Sequence, residues 1–146
     1  MNWYFPTPHI ETWIIDKSHL DHYQHVNNVA YIAQQEKLAW AHSQALGLSF
    51  NDYQKLDRAM VVHEHKVKYL QPCLENDIVL CATWITGCDN RLTLTRDFQY
   101  ICKKRQSTVY KAQTTFVCTT LSTGKPARMP EVFRDIYGSA LIRIEA

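Results

Sequence analysis

The chain has 146 residues, 46% of them hydrophobic and 21% charged, with four glycines and five prolines. That length fits one domain, residues 1–146, with a single core, and the composition excludes a disordered, collagen-like or linker-rich chain. Sixteen Lys and Arg against fourteen Asp and Glu leave a formal +2 with the seven histidines neutral, so no whole-surface basic field marks a nucleic-acid binder.

Periodicity and punctuation give the elements in order. His9 to Ile15 is short, β-branched and aromatic, and predicts a strand. Asp16 to Asn28 is polar and rich in histidine, which predicts a loop. From Val29 to Leu46 the residues Val29, Ile32, Ala39 and Leu46, with Leu38 and Ala45, follow helical spacing. Asn27 or Asn28 can cap that helix, because a short side-chain oxygen accepts an orphan N–H. Gly47 stands where a left-handed residue ends it. After Leu56 the period becomes two: Val61, His63, His65, Val67 and Tyr69 fall on one face, and Val62, Glu64, Lys66 and Lys68 on the other. Pro72 ends this strand, and Glu75-Asn76-Asp77 turns the chain into Ile78 to Cys88. Asp89-Asn90 leads into Leu92 to Cys102, where Leu92, Leu94, Phe98 and Tyr100 share a face. Lys103 to Gln106 is a charged hairpin tip before Ser107 to Thr120, and Pro130 opens a short terminal helix through about Tyr137. The order is strand, helix, then four meandering strands, which predicts an α+β domain with an antiparallel sheet and one helix against it.

The five cysteines form no C-x-x-C pair and read as small buried hydrophobes. Ile78 to Cys88 is too short to span a bilayer. Met1 to Pro8 lacks a basic segment followed by an apolar one, so the expected location is a reducing cytoplasm. His19, His22 and His25 are spaced by three, yet no further Cys or carboxylate motif completes a metal site, so neither a metal nor another cofactor is expected. His63 and His65 read as a half-buried pair at a sheet or subunit surface.

The segment D-H-Y-Q-H-V-N-N-V-A-Y-I from Asp21 to Ile32, followed by Glu36, is the richest in chemistry. It resembles the hotdog-fold acyl thioesterases, namely the hydroxybenzoyl-CoA and YbgC-like enzymes and the plant acyl-carrier thioesterases. Y-L-Q-P-C-L-E-N-D-I-V-L, from Tyr69 to Leu80, is similar to the same family's strand, proline, Asp turn and strand. The resemblance implies a sheet of about five strands wrapped around one long central helix. It also implies hydrolysis of an acyl-CoA or acyl-carrier thioester, coenzyme A being part of the substrate, by a homodimer or homotetramer. It makes Asp21 the catalytic carboxylate, as nucleophile or as base on water, and groups His25 with it. Tyr23 stands where the plant motif has asparagine. Glu36 is then an auxiliary carboxylate or, on the other reading, a surface charge or an ion pair across a dimer. Val26, Asn27, Asn28 and Tyr31 border the substrate, the asparagines as caps and loop ties rather than catalysts.

The residues themselves permit that chemistry. Thioester hydrolysis needs a base or nucleophile and donors for the developing oxyanion. A loop entering a helix offers unpaired N–H groups near Val26 to Val29 and the positive end of the helix dipole, with Asp21 just upstream. Lys66, Lys68, Lys103, Lys104, Arg105 and Lys111 are candidates for the coenzyme A phosphates. One helix covers one side of a sheet whose edge strand stays unpaired, which also predicts an oligomer. The rivals are a hydratase or dehydratase of the same fold and a non-catalytic acyl-thioester binder.

Overall fold

The chain builds β1 (His9–Ile14), α1 (Asn28–Ala45), α2 (Phe50–Lys55), β2 (Ala59–Tyr69), β3 (Ile78–Cys88), β4 (Thr93–Cys102), β5 (Ser107–Thr119) and α3 (Glu131–Ala140). The computed structural model describes residues 1–143; positions 144–146 of the predicted domain lie outside the described residues. One antiparallel sheet runs β1-β3-β4-β5-β2, and α1 lies against it. The α+β architecture is the predicted one.

The meander holds for β3, β4 and β5 but not for β2. Rather than pairing with β3, β2 crosses to the far side of β5, three strands away. The connection from Leu70 to Asp77 is too long for a tight hairpin. It bridges the sheet end instead: Leu70 N donates to Val109 O on β5, and Asn76 N donates to Ile15 O just past β1. Midway along it, Cys73 O receives Val26 N at 3.0 Å, which ties the crossover to the loop ahead of α1.

Three register shifts, at Val62/Glu64, Ile85/Gly87 and Tyr100/Ile101, bend the sheet around α1. At Gly87 a Cβ would stand 3.1 Å from Thr95, so the bulge holds the two backbones close only without a side chain. The bulge at His63 changes which residues of β2 face inward. Met60 and Val62 point toward α1 before it, and Val67 packs into the core after it. The single-face alternation predicted from Val61 to Tyr69 is therefore broken, because one extra residue exchanges the two faces.

Asn27 caps α1 through Val29 N at 2.8 Å, and Gly47 follows its end at φ 105°, both as predicted. The buried stripe differs from the apolar one. Tyr31, Gln35, Leu38, His42 and Ser43 face the sheet, while Val29 is 69% exposed. The helix thus buries a partly polar face, which a search for apolar spacing passes over. The short α2 was not among the predicted elements; its marker is the capping box Ser49-x-x-Asp52. Four of the five free cysteines are buried, as small hydrophobes would be. On the outer face, Trp3 and Phe5 pack on Trp84, and Gln99 hydrogen-bonds Tyr4 N and Asn2 O. The first residues therefore cover the side of the sheet opposite α1.

Candidate active site

The loop into α1 is built by local hydrogen bonds. Asp16 caps the single 3-10 turn Lys17–His19, and His19 Nδ1 accepts Asp16 N at 3.0 Å in return. Leu20 and Val26 bridge, closing the intervening residues into a tight excursion. Within it, Asp21 N donates to His25 O at 2.8 Å, and Gln24 takes a left-handed φ of 62°. Asp21 Oδ1 accepts Tyr23 N at 2.8 Å and His25 N at 3.2 Å. Its second oxygen accepts nothing among the described residues, so the carboxylate is oriented by one oxygen and free at the other. His22, Tyr23, Gln24 and His25 are exposed, Tyr23 at 81%.

The free N–H groups expected between Val26 and Val29 are mostly occupied. Val26 N donates to Cys73 O, Asn27 N to His19 O at 2.7 Å, and Val29 N to the Asn27 cap. Ala30 N reaches Asn27 O at 3.0 Å. Among the described residues, Asn28 alone of this group keeps an N–H without a partner, and its carbonyl accepts Tyr69 OH at 3.1 Å. Crossover, turn and cap have each taken one donor, because backbone groups in an ordered loop pair wherever they can. Val26 is buried and anchors the loop. Tyr31 is also buried, edge-on to Trp13 and Tyr69 and stacked on Tyr110 with centroids 5.1 Å apart. Burial, with Cys73 beside it, pushes its phenol pKa well up. The tyrosine of the motif is thus a core residue.

Beyond the first turn, α1 lines a cavity of about 230 Å3 closed by β2, β4, β5 and Tyr residues of α2 and α3. Ile32, Glu36, Ala39 and Ser43 border it and continue the helix face that begins at Asn28. Glu36 is exposed at the rim and makes no ion pair among the described residues. Beside it runs a side-chain network: Tyr110 OH donates to Gln35 Oε1 at 2.7 Å, and Gln35 Nε2 to Thr114 Oγ1 at 2.7 Å. Thr114 Oγ1 lies 2.7 Å from His65 Nδ1. At the deeper end Arg96, 2% exposed, meets His42 and Ser43. Burial, then Arg96 and the stacked His9, push the His42 pKa down to about 3, so its ring is neutral.

Sequence reasoning missed Gln35, His42 and Arg96; His63 and His65, expected as a half-buried pair, are both exposed, and His65 reaches Thr114 beside the cavity. The pointer was Arg96 itself: it falls on the face of β4 that carries Leu94, Phe98 and Tyr100. Lys66, Lys68 and Lys111 border a second cavity with Tyr4 and Phe5. Arg105 is tied down by Pro72 O at 2.8 Å and stands 3.5 Å from Asp77. Among the described residues no three His, Cys, Asp or Glu side chains converge as metal ligands, and no helix is long and apolar enough to cross a membrane.

A family model described as the thioesterase-like superfamily matches residues 15–136. Among curated protein sequences no significant match is found. Solved structures superpose over most of the chain. The probable thioesterase YbaW from Escherichia coli is 24% identical, with 90% of this chain and 98% of that one covered and a TM-score of 0.76. The DHNA-CoA thioesterase from Staphylococcus aureus is 19% identical, with 90% and 89% covered and a TM-score of 0.81. The protein SAV2348 from Staphylococcus aureus, solved in complex with CoA, is 15% identical, with 100% and 93% covered and a TM-score of 0.84.

Proposed function

This chain belongs to the thioesterase-like superfamily, and from that membership we propose that it hydrolyses an acyl-coenzyme A thioester with Asp21 as the attacking or proton-accepting group. Its curved sheet around α1 is the hotdog fold, and thioester hydrolysis is the reaction class that the family sets.

The observation that carries the residue assignment is the state of the Asp21 carboxylate. Two backbone N–H groups fix one oxygen, the other is free, and the segment runs straight into the start of α1. The free oxygen either takes a proton from water as it adds to the acyl carbon or attacks that carbon itself. The unpaired Asn28 N–H and the positive end of α1 oppose the charge that grows on the carbonyl oxygen. On the first route collapse of the tetrahedral centre breaks the C–S bond and leaves the free acid, and the departing thiolate takes the proton that Asp21 accepted. On the second, collapse leaves an acyl–Asp21 anhydride, which one water then splits into the free acid and the restored carboxylate, its remaining proton going to the thiolate. His25 assists from the same turn, and Glu36 acts as an auxiliary carboxylate at the cavity rim. Asn27 and Val26 hold the loop, while the acyl group lies along α1 in the cavity.

We also propose a homodimer. β2 presents an unpaired edge, with Val61, Val62 and Tyr69 exposed on it, and such an edge is normally covered. The test is thiol release from a panel of acyl-CoA substrates. Asp21→Asn keeps size and hydrogen bonding but removes charge and basicity, and should cost ~10²-fold or more in kcat/KM. Wild-type turnover in a folded, correctly assembled Asp21→Asn protein overturns the assignment. A panel with no thiol release overturns the hydrolase reading.

A further inference from the structure

We infer that the cavity along α1 ends in an anion subsite at Arg96, and that the preferred acyl group carries a carboxylate at the end remote from the thioester. That the anion belongs to an acyl group rests on the proposed thioesterase reaction; that an anion binds rests on the cavity alone.

Arg96 is 2% exposed and borders the cavity. Its partners are all neutral. One terminal nitrogen donates to His42 Nδ1 at 2.6 Å, the other to Ser43 Oγ at 2.7 Å, and the guanidinium carbon stands 5.9 Å over the Tyr137 ring. No carboxylate lies within 4.0 Å of it among the described residues. Arginine does not surrender its proton in a protein, and a neutral histidine offers a lone pair but no charge. The chain therefore buries a cation without a counter-ion, an arrangement that is costly until an anion arrives.

The cavity is shaped for an anion on an apolar tail. Between the start of α1 and Arg96 its lining includes Ile32, Ala39 and Phe98, surfaces suited to methylenes. Around Arg96 the hydroxyls of Ser43, Tyr137 and Tyr53 form a connected chain, Ser43 Oγ to Tyr137 OH being 2.9 Å, which can reorient to donate to a carboxylate oxygen. Glu36 cannot supply the missing charge, because seven residues of helix, about 10 Å, separate it from Ser43.

The experiment compares coenzyme A half-thioesters of α,ω-dicarboxylic acids with plain acyl-CoA of matched length, across a ladder of lengths, in the wild type and in Arg96→Met. The wild type should favour the carboxylated substrate by about tenfold or more in kcat/KM at its best length. Arg96→Met should bring that ratio to one or below, whatever its absolute rate. A wild-type ratio of one or below at every length overturns the subsite. Calorimetric titration of the wild type with free dicarboxylates and matched monocarboxylates reads the same site without turnover or a variant. Dicarboxylate binding about tenfold tighter supports the subsite; equal binding, or none of either, overturns it. If neither thioester is cleaved, the hydrolase reading fails and the calorimetry still decides the subsite.

Discussion

Replacing His42 by Gln should remove a pH dependence of stability that the fold imposes. In the native state His42 is nearly buried, accepts from Arg96 and stacks on His9 at 5.0 Å, with Glu11 3.7 Å beyond His9. Those surroundings hold its pKa at about 3, against ~6.5 in an unfolded chain. The folded value is depressed, so at pH values between the two the unfolded state binds the proton and the native state does not. Stability is then complete above about pH 6.5, falls as pH drops below it, and stops falling below about pH 3. The slope approaches about 1.4 kcal/mol per pH unit, so two units below pH 6.5 remove roughly 2 to 3 kcal/mol. A glutamine amide oxygen can accept from Arg96 but cannot titrate. Urea denaturation followed by tryptophan fluorescence, at one protein concentration and at several pH values from 7.5 to 4.5, gives the stability difference between wild type and His42→Gln. A fixed offset is expected from the lost ring; on top of it, the wild type should lose its advantage by that slope as pH falls. A difference that stays constant across the range refutes the buried, neutral assignment.

Asn27→Ala removes the only side-chain cap of α1, and should cost about 1 kcal/mol by the same denaturation assay; because the loop loses a tie beside Asp21, kcat should fall with it. His25→Ala should lower kcat/KM less than Asp21→Asn does, since the clamped carboxylate and the Asn28 N–H remain; an equal loss would make His25 the base. Static light scattering should report twice the 17.1 kDa chain mass or a larger even multiple at micromolar concentration, and a single-chain particle would refute the assembly. Exhaustive chelation should leave thiol release intact, and loss restored by added zinc would place a metal in the reaction.

Where local chemistry determines structure, the sequence was a sound guide. Asn27 and Gly47 bound α1 at both ends as read, because caps are short-range events. The turns at Asn76 and Asn90 joined the predicted strands through left-handed residues. What escaped was long-range or against type. The placement of β2 beside β5 depends on a crossover anchored by Val109 and Ile15, and no local pattern encodes those partners. The bulge at His63 inverted the expected faces of β2, because alternation carries no mark of an inserted residue. Gln35 bonds to Tyr110 and Thr114, and His42 to Arg96, across the helix–sheet interface, so the two helix residues read as solvent-facing until their partners on the sheet are known. The Asp21 motif marks the loop, but the crossover at Cys73 and the carbonyl of His19 claim two of its backbone donors, and no local spacing encodes those partners.

The two borders of the sheet are unequal in length. β1 offers six residues on one side and β2 offers eleven on the other. Stacking copies head to tail would set β1 of one against β2 of the next and leave five residues of every β2 without a neighbour. Pairing β2 with its own copy about a two-fold axis matches the lengths and leaves only the two short β1 borders outside. The mismatch therefore favours a closed, symmetric particle over an open filament, in which each long margin is covered by its copy and only the short β1 margins remain for further strand pairing.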